Sequence, residues 1–213
     1  MFFLGRPVLF LLIALLVIFA PLSASAATEV LDKSKAWFKS GSSWSLNFHV
    51  KVFPAGSPDV SEQRGSLLVG EKNRFRLVVP GIVFFSDGVS LWQWNQDQKQ
   101  VLIKAIEDLS STLHPSGLLF KYLNCRATAV REEVWKNKPV YVLTLDPSKY
   151  DDQFKDMEVW LSAKDYSPVR LFTTDDLGNA SQYEISDLKI VKKTTIADFT
   201  FKGSKEIDEI DMR

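Results

Sequence analysis

GSLLVGEKNRFRLVVPGIVFFSDGVSLWQWNQDQKQVLI, residues 65–103, decides the architecture. It divides into apolar pieces, Ser66–Val69, Arg74–Val79, Ile82–Ser86, Leu91–Trp94 and Gln100–Lys104, separated by short polar or turn-forming residues. Asp87-Gly88 is the clearest break, because Asp-Gly favours the positive backbone angles of a tight hairpin and apolar residues flank it on both sides. Asn95-Gln96-Asp97-Gln98-Lys99 interrupts the chain again before Val101. The pattern predicts an antiparallel meander bearing Phe75, Phe84, Phe85, Trp92 and Trp94, which demands either a thick core or an apolar guest.

Upstream, Trp44 to Phe53 alternates. Trp44, Leu46, Phe48, Val50 and Val52 share one face, and Ser45, Asn47, His49 and Lys51 the other, the signature of a half-buried strand. Val30, Leu31, Trp37 and Phe38 recur at helical spacing, predicting a helix over Glu29–Phe38 with Thr28 as N-cap and Gly41 beyond its end. Residues 1–26 resemble a secretory signal: Arg6, the apolar run Val8–Ala20, then Ala24-Ser25-Ala26. That run has 13 residues, short of the roughly 20 needed to span a bilayer. Cleavage near Ala26 would leave residues 27–213 as one mature domain exported to a periplasm.

Downstream, Glu107–Leu113 and Pro115–Leu123 read as two short helices, with Pro115 suited to a first turn and His114 at the joint. Their apolar content predicts either a cover over the open side of a curved sheet or a plug for its core. Strands resume at Arg126–Trp135, Val140–Leu145, Met157–Leu161, Val169–Thr174, Gln182–Ile190 and Asp198–Lys202, with turns at Asn137-Lys138-Pro139, Asp165–Pro168 and Asp176-Leu177-Gly178-Asn179. About eleven strands after one N-terminal helix predict a mainly β fold, whose long antiparallel sheet rolls by its twist into a full or partial barrel.

Composition narrows the function. With 213 residues, 46% hydrophobic, the chain can bury a sizeable core, and 26 basic against 26 acidic residues lack the cationic excess that nucleic acid demands. Arg6 is the only charged residue in 1–26, so its loss takes the formal charge from 0 to −1. The single cysteine, Cys125, excludes an internal disulfide and does not follow the cleavage point as a lipid-modified cysteine would. Two histidines, His49 and His114, and one cysteine offer no metal-ligand spacing. Asp151-Asp152 and Asp175-Asp176 are adjacent acids, which point to opposite faces of a strand or are solvated in loops, and no phosphate loop or nucleophile elbow is present. The expectation is no enzyme and no cofactor.

An ordered series of residues carries a resemblance: Gly65, Arg76 within Asn73-Arg74-Phe75-Arg76, Pro80, Ser86-Asp87-Gly88, Leu91-Trp92, Trp94-Asn95 and Gln100-Val101, then Pro115-Ser116-Gly117-Leu118-Leu119, Asp176-Leu177-Gly178-Asn179 before Tyr183-Glu184-Ile185, and Phe199-Thr200-Phe201. From Thr28 to Asp208 the chain resembles the LolA-like carriers, which move lipoproteins between membranes, and the resemblance implies their half-barrel, an incomplete antiparallel barrel whose concave face is covered by helices. The resemblance implies an apolar cavity for acyl chains, a monomeric carrier loaded by an inner-membrane lipoprotein-releasing ABC transporter, and an outer-membrane receptor. The family's latch arginine has no counterpart, since that position reads Gly70-Glu71-Lys72-Asn73, and the proline after the closing Phe-Thr-Phe is replaced by Lys202-Gly203-Ser204. The alternative is a lipid-sensing or scaffold protein on the same fold. Candidate cavity residues are Trp44, Leu46, Phe48, Val50, Phe75, Leu77, Trp92, Trp94, Leu119 and Leu123, and a charge at Leu119 or Trp94 is expected to harm cargo binding more than folding.

Overall fold

The computed structural model describes residues 24–108, 120–148 and 154–213. A helix, α1 (Ala24–Lys39), precedes β1 (Trp44–Phe53), β2 (Ser61–Val69), β3 (Arg74–Val79), β4 (Ile82–Asp87), β5 (Ser90–Asn95) and β6 (Gln100–Ala105). After the turn Lys121–Asn124 come β7 (Arg126–Trp135), β8 (Lys138–Asp146), β9 (Asp156–Ser162), β10 (Pro168–Thr174), β11 (Ala180–Ile190) and β12 (Asp208–Asp211). They form one sheet in the order β12-β6-β5-β4-β3-β2-β1-β11-β10-β9-β8-β7, with β12 and β7 at its two ends. The sheet does not close, and with one N-terminal helix it is an open half-barrel.

Turn chemistry explains the meander. Gly88 takes φ +96° in the two-residue link between β4 and β5, where a Cβ would collide with the Lys72 carbonyl oxygen. Asp87 stays in the strand, and its carboxylate accepts from the backbone N–H groups of Val89 and Ser90 at 2.9 and 2.8 Å. Between β7 and β8 the positive φ values fall on Lys136 and Asn137, one residue earlier than expected, so Lys138 already pairs with Trp135.

Several expectations need correction. The helix already includes Ala24, so Thr28 lies inside it and its hydroxyl donates to the Ala24 carbonyl at 2.9 Å instead of capping. The predicted strand Asp198–Lys202 is absent, because Thr195 and Asp198 form a reciprocal capping box that starts a 3-10 turn at Ile196–Asp198. The last strand is instead β12, which pairs with β6 in parallel, so the sheet is not antiparallel throughout. Of the two predicted short helices, Ile106–Asp108 and Lys121–Asn124 are 3-10 turns, and residues 109–119 between them lie outside the described residues.

α1 buries Ala27, Val30, Leu31, Ser34 and Phe38, a stripe at helical spacing, and packs mainly on β7. Burial of Leu31 and Phe38 contributes about 2 kcal/mol each. Their neighbours Leu143, Val159 and Leu171 define the inner face of the sheet. Cross-strand pairs extend that face: Leu143 opposes Val159, Val159 opposes Leu171, Leu171 opposes Tyr183, and Tyr183 opposes Val50. A second inner cluster, Leu46, Leu67, Val69, Phe75, Leu91, Ile106 and Ile185, continues it under β1–β5. On the outer face, Val140, Val142 and Trp160 make a third cluster, where the Arg170 guanidinium lies 4.6 Å from the Trp135 ring and 4.3 Å from that of Trp160.

Candidate functional site

Register decides which side chains share a surface. Leu46 opposes Leu67, Leu67 opposes Leu77, and Leu77 opposes Phe84, while Trp44 opposes Val69 and Val69 opposes Phe75. The inner face therefore brings together Trp44, Leu46, Phe48, Val50, Phe75 and Leu77. Leu123 joins them from the 121–124 turn, packed against the cluster around α1. Leu119 lies outside the described residues.

Trp92 and Trp94 are not brought to this face. Phe84, an inner residue, opposes Gln93, so the two tryptophans project outward, Trp92 opposite Phe85 and Trp94 opposite Val83. Phe201 lies against this outer patch, its ring 5.9 Å from Phe85 and 5.6 Å from Trp94. The polar Gln93 takes the inward place between two tryptophans, and a strand with large apolar groups on both faces does not announce which set is inward.

Burial grades along the inner face. Leu46 and Phe75 are 3% and 2% exposed and form its floor. Phe48, Val50, Leu77, Phe84 and Tyr183 are only half-buried, a contiguous apolar patch beyond that floor. Gly65 makes room for it: Phe48 lies across this glycine, and a Cβ there would meet the Phe48 ring at 2.6 Å and collide with the Val78 carbonyl oxygen. Sequence reasoning missed Phe84 and Tyr183, whose only signal is their register against Leu77 and Val50.

At the other end of the face, a cleft of about 500 Å³ opens between the C-terminal end of α1, Trp44, and the 121–124 turn. Phe38, Trp44 and Leu123 supply its apolar wall, and Lys35 and Lys39 are among its lining residues. The Phe38 ring stands 5.8 Å from Trp44 and 4.9 Å from Phe120. Greasy walls with cations alongside suit an amphiphile whose head is anionic or polar.

The titratable groups have structural occupations. The Asp175 carboxyl is held below its ordinary range chiefly by the Asn179 side chain, which donates at 2.7 Å across the β10–β11 hairpin. Asp146 is lowered to about 2 by the Ser148 hydroxyl and the Arg126 guanidinium. His49 lies on the outer face, 2.8 Å from Glu62. Cys125 is buried, 3.9 Å from the Met157 sulfur. Among the described residues no group of three or more His, Cys, Asp or Glu could hold a metal ion. Asp151-Asp152 lies outside them.

Where the resemblance lacked its latch arginine, the chain makes a tight turn. Lys72 and Asn73 take φ 56° and 60°, the Gly70 N–H donates to the Arg74 carbonyl at 2.8 Å, and the Phe199 ring packs so closely on Gly70 that a Cβ would meet it at 2.7 Å.

The family model described as outer membrane lipoprotein carrier protein LolA matches residues 40–202. No curated protein matches the chain. Among solved structures, an uncharacterized conserved protein from Thermus thermophilus is similar with TM-score 0.54 and 15% identity, covering 87% of this chain and 99% of that one. LprF from Mycobacterium bovis is similar with TM-score 0.52 and 11% identity over 82% of this chain and 99% of its own. The Mycobacterium tuberculosis lipoprotein LppX gives 0.48 and 15% over 80% and 99%. At these identities the first two show a shared fold.

Proposed function

Because the chain belongs to the LolA family of outer membrane lipoprotein carriers, we propose that it binds the acyl chains of lipoproteins or other lipids on its inner face and carries them across the periplasm from inner to outer membrane. The physical need is large. A chain of about fifteen methylenes costs about 12 kcal/mol to expose to water, at about 0.8 kcal/mol each. Crossing an aqueous compartment thus requires an apolar container and no catalytic group. Support comes above all from the half-buried patch of Phe48, Val50, Leu77, Phe84 and Tyr183, which continues a buried apolar floor. In this reading Trp44 and Leu123 line the way in beside α1, residues 1–26 direct export and are removed near Ala26, and the carrier works as a monomer between an inner-membrane lipoprotein-releasing ABC transporter and an outer-membrane receptor.

The tight turn at Gly70–Asn73 favours keeping a second reading, a lipid-sensing or scaffold protein that binds a partner without moving cargo, since no arginine there is available as a latch. One experiment separates the two. The purified protein is added to spheroplasts carrying a labelled lipoprotein, and lipids that copurify with it are identified by native mass spectrometry. A carrier releases the lipoprotein in stoichiometric amounts; a sensor holds lipid but releases none. Absence of both bound lipid and release refutes both readings.

A further inference from the structure

The outer face has a cleft of about 240 Å³, lined by leucines as well as polar and charged residues, on the opposite side of the sheet from the apolar patch. It owes its existence to an irregularity: the β1–β11 register shifts between Ser45 and Asn47, and Asp187 in the bulged strand takes φ 52°. Ser45, Asn47, Ser66, Arg76, Asp187 and Lys189 contribute to its lining. One cross-strand row runs Lys189, Ser45, Leu68, Arg76, so the two cations flank the cleft three strand spacings apart, about 14 Å between their backbones.

The charges at this cleft are unbalanced. Neither Arg76 nor Lys189 forms an ion pair among the described residues. Asp187, the acid in the lining, accepts from the Asn47 amide at 2.8 Å. Asp198, which attracts Arg76 from a distance, already accepts from the Thr195 N–H at 2.7 Å and its hydroxyl at 3.0 Å. Between the cations the Ser45 hydroxyl is buried with no hydrogen-bond partner among the described residues, an arrangement that leaves a polar group unsatisfied unless something else enters. A guanidinium fork, an ammonium and a hydroxyl carried along one cross-strand row are donors that suit the acceptors of a tetrahedral oxyanion.

The geometry points to a phosphate-binding site at this cleft, built by Arg76, Lys189 and Ser45, that takes a phosphate monoester group, either free or as a lipid headgroup. It is independent of the acyl-chain face, from which the sheet separates it.

The test uses the full mature chain at constant chloride ionic strength. Inorganic phosphate is titrated while amide NMR shifts are followed, and binding to phosphatidylcholine vesicles with and without phosphatidic acid is measured by sedimentation. Saturable shifts centred on Ser45, Ser66 and Asp187 are expected, weakened about tenfold or more by combining Arg76→Gln with Lys189→Gln. Ser45→Ala, which leaves the charge unchanged, weakens binding as well, whereas Lys205→Gln does not. Binding of inorganic phosphate alone identifies a free ligand, and binding of phosphatidic acid vesicles alone identifies a headgroup. If neither probe binds, or if the double variant and Lys205→Gln behave alike, the site does not exist. The amide spectrum of each variant reports directly that it is folded.

Discussion

Gly65 leaves no room for a side chain on the inner face, since a Cβ would run into the Val78 carbonyl, which cannot move without disturbing the β2–β3 ladder. Gly65→Ala is expected to lower stability by about 1–3 kcal/mol, read as a shift in the urea midpoint at unchanged slope. An unshifted midpoint would mean that β2 and β3 part more easily than their register implies. Two further substitutions separate patch from support. Leu77 is half-buried on the inner face, and Trp94 is half-buried on the outer face beneath Phe201. Leu77→Glu should reduce copurified lipid at least tenfold while the thermal midpoint stays within a few degrees, because a carboxylate can turn to water but not into an acyl chain. Trp94→Ala should do the reverse, costing about 2 kcal/mol of stability and leaving lipid occupancy intact. The contrast reverses the sequence-based expectation for Trp94, and equal effects from both would argue that the inner face is a filled core.

At the scale of elements, α1 is tied to the 121–124 turn by one buried hydrogen bond. Tyr122 is fully buried, and its hydroxyl lies 2.9 Å from that of Ser34 on the helix. Burial raises the phenol well above its ordinary value of 10.0, outweighing the Ser34 hydrogen bond that favours the ionised form. In the unfolded chain the same phenol ionises near 10.0, so the unfolded state loses a proton there that the folded state keeps. The stabilisation by neutral Tyr122 is therefore complete below that pH and declines as the pH rises above it. Tyr122→Phe should flatten this alkaline decline, seen as a smaller fall in thermal midpoint between about pH 10 and 11; an identical pH dependence in both proteins would show that other groups govern it. Elements of this kind were legible to different degrees. The strands from β1 to β11 could be placed because turn residues such as Asp87-Gly88 and Gly178 separate apolar runs, a local signal. What could not be read was non-local. The first described turn of α1 lies in alanines that also fit a cleavage site, β12 is an acidic Asp-Glu-Ile-Asp whose partner is 108 residues away, and Phe199-Thr200-Phe201 alternates like a strand although Phe199 fills the space over Gly70 and Phe201 covers Trp94.

For the whole molecule, an open sheet has two ends, and each presents backbone groups that another chain could pair with. α1 packs along β7 at one end. At the other, β12 pairs with β6 in parallel, from Asp208 opposite Gln100 to Asp211 opposite Ile103. Two side-chain contacts fix it there: Gln100 donates to Asp208 at 3.1 Å, and Arg213, itself held by the Asp211 carboxylate, donates to the Ser90 hydroxyl at 2.9 Å. Its acids suit the role, because a short strand bearing Asp208, Glu209 and Asp211 repels a second copy while satisfying β6. The two functions are separable. A chain ending at Lys205 keeps Phe201 over the outer aromatic patch but uncovers the β6 edge, with Val101 and Ile103 behind it. Such a chain should form dimers and larger species in sedimentation velocity at concentrations where the full chain stays unchanged, and restoring the segment with Asp208, Glu209 and Asp211 as asparagine or glutamine should leave the fold intact but recover only part of the solubility. If the truncated chain sediments like the full one, the β6 edge is protected by something other than β12, and the strand's acidic sequence has no part in keeping the protein apart from its copies.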